Sequence, residues 1–162
     1  MTRLFVIVFG AGLMRPAPGT WGSLVALPLA YGLHMLGGFW LLLAATIAVS
    51  LLGWAAVAVE TRGAADHDPA EIVIDEVAGQ WIALMPVSYG ASMMSANILA
   101  LWPGIVAAFI LFRLFDITKP FIIGRADRRG DALGVMLDDI LAGFFAAICV
   151  VLLAAFAHLV LM

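Results

Sequence analysis

The sequence predicts an all-α fold, a polytopic membrane bundle of about five hydrophobic helices. Of its 162 residues, 65% are hydrophobic and only 12% are charged, whereas soluble domains are about half apolar and a quarter charged. The charged residues also cluster in short segments between long apolar runs. At this length we expect one membrane-embedded domain over residues 1–162, since a second core would need more chain.

Several classes of protein are disfavoured by composition. The net charge of −3 argues against a nucleic-acid partner, which usually requires a basic face. The single cysteine, Cys149, rules out an intramolecular disulfide. The apolar stretch near the N-terminus is short and lacks a small-residue cleavage site, so we expect mature protein there rather than a signal peptide.

Five hydrophobic helices are predicted from the apolar runs, since a membrane crossing needs about 20 apolar residues. They cover residues 24–36, 39–59, 77–87, 91–112 and 132–162, and the run 39–59 carries no charge. The first and third are short for a full crossing, and Pro86 with the polar residues after it is expected to separate the third from the fourth. Residues 4–14 fit an interfacial or re-entrant piece.

Consecutive up-and-down crossings place every Lys, Arg, Asp and Glu on one face of the membrane. The opposite face receives Gly37-Gly38, the turn at residues 86–97 and the C-terminus. The positive-inside rule makes the charged face cytoplasmic. Acids contribute little to that rule, so the acids that lie among apolar neighbours need another cause.

Two segments of the charged face precede apolar helices. In the run at residues 18–23, Thr20 or Ser23 is a candidate N-cap, and the free amides of a helix start suit a phosphate. An ordinary cap explains the run equally well. Asp75 and Glu76 also open a helix, where its dipole alone would stabilise them. His67, in the loop before them, is either a general acid, a phosphate donor or a surface histidine.

Two further segments carry charge within apolar helices. Arg113 and Asp116 are three residues apart and share a helix face, with Lys119 one turn further on; a structural ion pair is the alternative for the first two. Asp138 and Asp139 give the strongest signal, because an acid within a membrane helix costs about 2.5–3.5 kcal/mol near its centre. Adjacent helix positions lie about 100° apart, so at most one acid points straight into a shared site, and the other is expected to bind through a water or to brace a neighbour.

Together these side chains indicate a metal and phosphate site. Crowded carboxylates repel one another, and a divalent cation removes that conflict. An all-oxygen ligand set favours Mg²⁺ over zinc or copper. Arg113, Lys119 and the loop around Thr20 supply donors for a phosphate beside the metal, which is typical of phosphoryl chemistry on a lipid headgroup.

The same segments resemble the phosphatidylglycerophosphatase A family, in the right order and over nearly the whole chain. The matching residues are Pro18-Gly19-Thr20, Gly22-Ser23, Ile72 to Val77, Gly79, Phe112-Arg113, Phe115-Asp116-Ile117, Lys119-Pro120, Gly134, Met136 to Asp139 and Leu141 to Gly143. The chain departs from the family pattern at Phe121-Ile122 and in the segment 129–133, which leaves the acidic set intact.

The resemblance implies an all-helical enzyme of the bacterial inner membrane. It implies Mg²⁺-dependent removal of the terminal phosphate from phosphatidylglycerophosphate, which yields phosphatidylglycerol. The positions that it singles out are Thr20, His67, Glu76, Arg113, Asp116, Lys119, Asp138 and Asp139.

The working hypothesis is metal-assisted hydrolysis by water at the cytoplasmic face, with a carboxylate nucleophile left open. Metal ligands are predicted at Glu76, Asp116, Asp138 and Asp139. The predicted catalytic set consists of these four acids and Asp75, which is either a further ligand or supports the ligands from outside. Phosphate contacts are predicted at Thr20, Ser23, His67, Arg113 and Lys119.

Other functions remain as alternatives. A proton- or cation-coupled transporter would also use intramembrane acids, but such sites lie near the midplane between repeated halves, and no repeat is evident. A lipid phosphotransferase would show an Asp-rich signature with glycines on one helix, which is missing. The expected partners are the lipid substrate and membrane lipids, and the sequence leaves the oligomeric state open.

Overall fold

A computed structural model describes residues 2–63 and 69–161 of the chain, with the backbone alone for Leu161. The helices are α1 (Thr2–Val6), α2 (Pro18–Glu60), α3 (Ile74–Met93), α4 (Trp102–Thr118), α5 (Ile123–Asp127) and α6 (Ala132–Leu161), with 3₁₀ turns at Val8–Leu13 and Ile98–Leu101. No β-strand occurs in these two described ranges. The predicted all-α class is confirmed.

Helix α2 is a hairpin of two helical halves. A straight helix of its 43 residues would be about 65 Å long, about twice the thickness of a bilayer core. Gly37 and Gly38 leave helical geometry, and Gly38 has a φ of 62°, a conformation that glycine adopts without a steric penalty. Gly19 and Gly53, near opposite ends of α2, both pack against the first turn of α3. The two halves are therefore antiparallel.

With α2 counted as two, the bundle has five long helical segments, close to the predicted number, but two predicted details were wrong. The expected break at Pro86 is absent, because α3 continues through this proline to Met93; membrane helices tolerate proline where neighbouring groups satisfy the backbone. The first helix begins at Pro18, and Ala17 is its N-cap. Thr20 and Ser23 therefore lie inside the helix and do not cap it.

Three stretches of the described chain are long and apolar enough to cross a membrane. They are Pro18–Glu60, which contains both halves of the hairpin, Ile98–Thr118 and Ala132–Val160. Helix α3 lies at the centre of the bundle, with most of its residues buried. The protein is thus an integral membrane protein whose outer helices surround a central one.

Helices α3 and α6 touch backbone to backbone. A Cβ atom at Gly143 would lie 2.4 Å from the carbonyl oxygen of Gly79, and one at Gly79 would lie 2.5 Å from that of Asp139. Ala142 and Ala146 are fully buried beside this contact. The small residues of α6 thus allow close helix packing, and this packing brings Asp139 against the start of α3.

The N-terminal segment supports the loop before α3. The amide of Val73 donates a hydrogen bond to the carbonyl oxygen of Val6 at 2.9 Å, and Val8 is buried while Phe9 is 84% exposed. Arg3 pairs with Glu71 at 2.7 Å. Residues 4–14 therefore pack on one side against the bundle and present the other side outward, consistent with an interfacial piece.

Candidate active site

The predicted segments meet at a cavity of about 290 Å³ at one end of the bundle. It lies where α2, α3 and α6 begin and where α4 ends. Helix starts favour negative charge and helix ends favour positive charge; Asp75 and Glu76 in the first turn of α3 and Lys119 at the end of α4 follow this rule, whereas Asp116, near the end of α4, does not. The charged lining residues are Asp75, Glu76, Arg113, Asp116, Lys119, Asp138 and Asp139.

Three of these carboxylates form an acidic triad, Asp75, Glu76 and Asp139. One oxygen from each lies within 4.8 Å of the others. Oε2 of Glu76 and Oδ2 of Asp139 are buried and accept no hydrogen bond from any described residue. Unpaired buried carboxylate oxygens are costly, and a cation would compensate them. The triad therefore fits a metal ion, and its oxygen ligands suit Mg²⁺.

Arg113 links the acidic triad to helices α2 and α4. Its Nη1 lies 2.7 Å from Oδ2 of Asp116 and 4.0 Å from Oε1 of Glu76. The same nitrogen donates a hydrogen bond of 3.3 Å to Oγ of Ser23. These contacts fix the guanidinium at the wall of the cavity.

Lys119 caps the end of α4 and joins α6 to α5. Its φ of 44° is left-handed, and its Nζ donates to Oδ2 of Asp138 at 2.7 Å and to Oδ1 of Asp127. Partial burial acts to lower the pKa of Lys119, but the two carboxylates outweigh it and raise that pKa above its usual value. The lysine is therefore a permanent cation in the cavity wall, and Asp138 is its ion-pair partner on α6.

The first turn of α2 closes the cavity through Gly19. A Cβ atom at this position would lie 2.2 Å from Oε1 of Glu76 and 3.1 Å from both terminal nitrogens of Arg113. Ala17 and Pro18 line the cavity next to it, so the backbone of this helix start opens on the site. A glycine here leaves the space that the carboxylate and the guanidinium occupy.

The structure gathers most of the predicted site residues and separates a few. In the described chain, Asp75 completes the compact acidic group with Glu76 and Asp139, whereas the predicted ligands Asp116 and Asp138 each bond to a cation. Their roles as ligands stay predictions.

The predicted phosphate contacts are placed less uniformly. Thr20 is half-buried outside the cavity lining, and Ser23 is fully buried behind Arg113. His67 lies outside the described residues. The sequence reasoning missed Asp127, and it missed Gln80, a fully buried polar residue one turn after Glu76. The sequence pattern that could have revealed Gln80 is a polar residue four positions after Glu76 in an otherwise apolar run.

These features define a class: an integral membrane protein of bundled helices, with a metal-competent acidic triad and two fixed cations lining one cavity at the end of the bundle. The chain matches the phosphatidylglycerophosphatase A family over residues 4–154. It belongs to the phosphatidylglycerophosphatase A family and is a phosphatase. No solved structure matches it, and neither the site nor the family supports the transporter alternative.

Three curated relatives cover most of the chain. A phosphatidylglycerophosphatase A of Haemophilus influenzae is 40% identical over 91% of this chain and 85% of its own. One of Escherichia coli is 33% identical over 90% and 78%. A protein of Bacteroides thetaiotaomicron, provisionally named a phosphatidylinositol-3-phosphatase, is 37% identical over 88% and 86%.

Proposed function

We propose that this protein hydrolyses the terminal phosphate of phosphatidylglycerophosphate and thereby produces phosphatidylglycerol, with Mg²⁺ as cofactor. The observation that carries the proposal is the joint lining of one cavity by the acidic triad, Arg113 and Lys119. The names of the relatives from Haemophilus influenzae and Escherichia coli support the choice of substrate.

The two cations bind the phosphate in this proposal. Arg113 and Lys119 approach the cavity from the end of α4 and neutralise charge on the phosphoryl oxygens. Asp116 and Asp138 hold these cations in place by ion pairs of 2.7 Å. The oxygen of water forms a bond to phosphorus as the bond between phosphorus and the glycerol oxygen breaks. The water loses a proton, and the glycerol oxygen takes up a proton to leave as an alcohol.

Asp75, Glu76 and Asp139 would hold the Mg²⁺ ion. When bound, Mg²⁺ supplies Lewis-acid polarisation of the phosphate and lowers the pKa of water. Asp116 lies beside Asp139 and is a further ligand candidate, as the sequence predicted. A carboxylate nucleophile is the alternative to water. If an acid quench with labelled substrate trapped a phosphorylated aspartate, this result would show that a carboxylate attacks the phosphorus and would overturn direct attack by water.

We place the site at the cytoplasmic face of the bacterial inner membrane. All Lys and Arg residues fall on that face in the predicted topology. The cavity opens at the end of the bundle where the charged loops lie. A lipid phosphate at the headgroup level would meet the site there while its acyl chains remain in the bilayer.

A phosphorylated inositol lipid is the second candidate substrate, because the Bacteroides thetaiotaomicron relative bears that provisional name. Both substrates present a phosphomonoester on a membrane lipid, so the same cations and acids would serve either one. The two candidates differ in the alcohol that leaves.

Phosphate release from the two lipids tests the choice. Purified protein in mixed micelles with Mg²⁺ is given either phosphatidylglycerophosphate or phosphatidylinositol 3-phosphate at equal surface concentration. We expect kcat/KM for phosphatidylglycerophosphate to be at least about tenfold higher, a difference of about 1.4 kcal/mol. Release from the inositol lipid alone would overturn the proposed substrate.

A further inference from the structure

Gln80 is a buried polar residue that the proposed mechanism does not use. It is 0% exposed in the second turn of α3, and neither Oε1 nor Nε2 of its side chain has a hydrogen-bond partner among the described residues. Buried amides in proteins are nearly always bonded to protein or to ordered water. Gln80 therefore indicates a bound group that satisfies it.

The neighbours of Gln80 show which way its side chain faces. Gly79 packs against the Phe112 ring of α4, and Nε1 of Trp81 donates a hydrogen bond to the carbonyl oxygen of Ala26 in α2 at 2.9 Å. Successive helix residues are about 100° apart, so Gln80 lies about 40° from Glu76, whose Oε1 meets Gly19 of α2 and Arg113 of α4. It faces the seam between α2 and α4.

That seam contains the anchoring contact of Arg113. Ser23, one turn deeper in α2 than Gly19, accepts the hydrogen bond from Arg113 that joins α2 to α4, and it is fully buried. Nε of Arg113 is also buried and donates to none of the described residues. We call Ser23, Gln80 and Arg113 the polar seam.

The direction of the Gln80 side chain points to Arg113. Helical side chains lean toward the N-terminus of their own helix. Helix α3 begins at the cavity, so Gln80 leans toward the level of Glu76, one turn above it, whose Oε1 lies 4.0 Å from Nη1 of Arg113. An amide that both donates and accepts, and an N–H that donates, together suit one shared water.

We infer that Gln80 is a positioning residue that holds Arg113 through an ordered water in the polar seam. The water accepts from Nε of Arg113 and donates to Oε1 of Gln80, while Nε2 remains available to a second water or to the carboxylate of Glu76, one turn above. Gln80 touches no substrate. It acts by fixing the guanidinium that binds the phosphate, so this inference rests on the proposed function.

The test replaces Gln80 by Met, which has a similar volume and no polar group, and combines this change with Arg113→Lys, which removes Nε. We expect Gln80→Met alone to lower kcat/KM about 10- to 100-fold, as the loss of a supporting hydrogen bond does at metal sites. In the Arg113→Lys protein, Gln80→Met should have no further effect. Where turnover is too slow to measure, the same four proteins can be compared by the change in melting temperature that inorganic phosphate causes in each.

Ser88→Ala is the matched control. Ser88 is also fully buried in α3, but it pairs with His34 at 2.8 Å, near the end of the helix remote from the cavity. We expect Ser88→Ala to leave kcat/KM unchanged. Gln80→Asn, whose shorter amide cannot reach the same water, should repeat the loss if Gln80→Met does not fold.

Two results would overturn the inference. One is wild-type kcat/KM for Gln80→Met together with an equal or higher melting temperature, which would mean that the amide has no partner to lose. The other is an equal fractional loss in the Arg113→Lys background. An absence of phosphate release from the wild type would instead contradict the proposed function, and the phosphate-dependent melting shifts would still report on Gln80.

Discussion

At the scale of single residues, Gly19 determines the shape of the cavity. A methyl group there would overlap Oε1 of Glu76 and crowd Arg113, so these side chains would have to move. Gly19→Ala should lower kcat/KM by about 10- to 100-fold, the range of misplaced supporting groups. It should not lower the melting temperature of the folded protein strongly, because alanine favours a helix by about 1 kcal/mol over glycine.

Gly32→Ala provides the control for this prediction. Gly32 lies in the same half of α2, and a Cβ atom there would meet nothing within 4 Å. We expect wild-type phosphate release and an unchanged or higher melting temperature. Equal activity of the two variants would show that the space at Gly19 is not needed.

The sequence predicted which acids line the cavity but not which partner each of them contacts. Asp138 and Asp139 are neighbours in an apolar run, and helix geometry predicted that they would point in different directions. Only the packing of α6 on α3 shows that Asp139 joins Glu76 while Asp138 pairs with Lys119. That packing depends on the approach of two glycine-containing backbones, which no local pattern specifies.

At the scale of the elements, Lys119 joins α4 to α5 and α6. Its ammonium neutralises Asp138, whose side chain is only 7% exposed. Lys119→Met should therefore destabilise the protein by about 1–3 kcal/mol, because it leaves a buried acceptor without its cation. Asp138→Asn added to Lys119→Met should restore part of this loss, which melting in detergent would measure.

The pH dependence of this contribution follows from the raised pKa of Lys119. A raised pKa in the folded state means that the stabilisation is complete below the ordinary lysine pKa of about 10.4 and is lost as the pH rises through the folded value. The penalty of Lys119→Met should thus be the same at pH 7.5 and pH 9. A penalty that already disappears by pH 9 would contradict the ion pairs described.

A helix boundary was predictable from the sequence where two consecutive glycines interrupt an apolar run, but not around Pro86. The Gly37-Gly38 break was evident because two glycines interrupt an apolar run, and the structure has a hairpin there. Pro86 was misleading because a proline ends a helix in water more often than in a membrane bundle. The actual turn follows Met93, and Ser95 within it has a φ of 48°. No residue pattern in this segment predicts that backbone conformation.

At the scale of the whole molecule, all charged side chains belong to one face in the predicted topology. In a Cys149→Ala background, Arg125→Cys should react with an impermeant maleimide only in inside-out vesicles. Ser95→Cys, which is exposed at the α3–α4 turn, should react only in right-side-out vesicles. Labelling of both from one side would contradict the predicted crossings and the cytoplasmic placement of the site.

In the proposed function, the acidic triad makes phosphate release dependent on a divalent cation. The most direct measurement is phosphate release from phosphatidylglycerophosphate by purified wild type and Asp139→Asn, each titrated with Mg²⁺ after treatment with EDTA. We predict that Mg²⁺ restores wild-type release, and that Asp139→Asn loses at least about 100-fold in kcat/KM and needs more Mg²⁺. Wild-type release that persists in EDTA, or undiminished release by Asp139→Asn, would contradict this account.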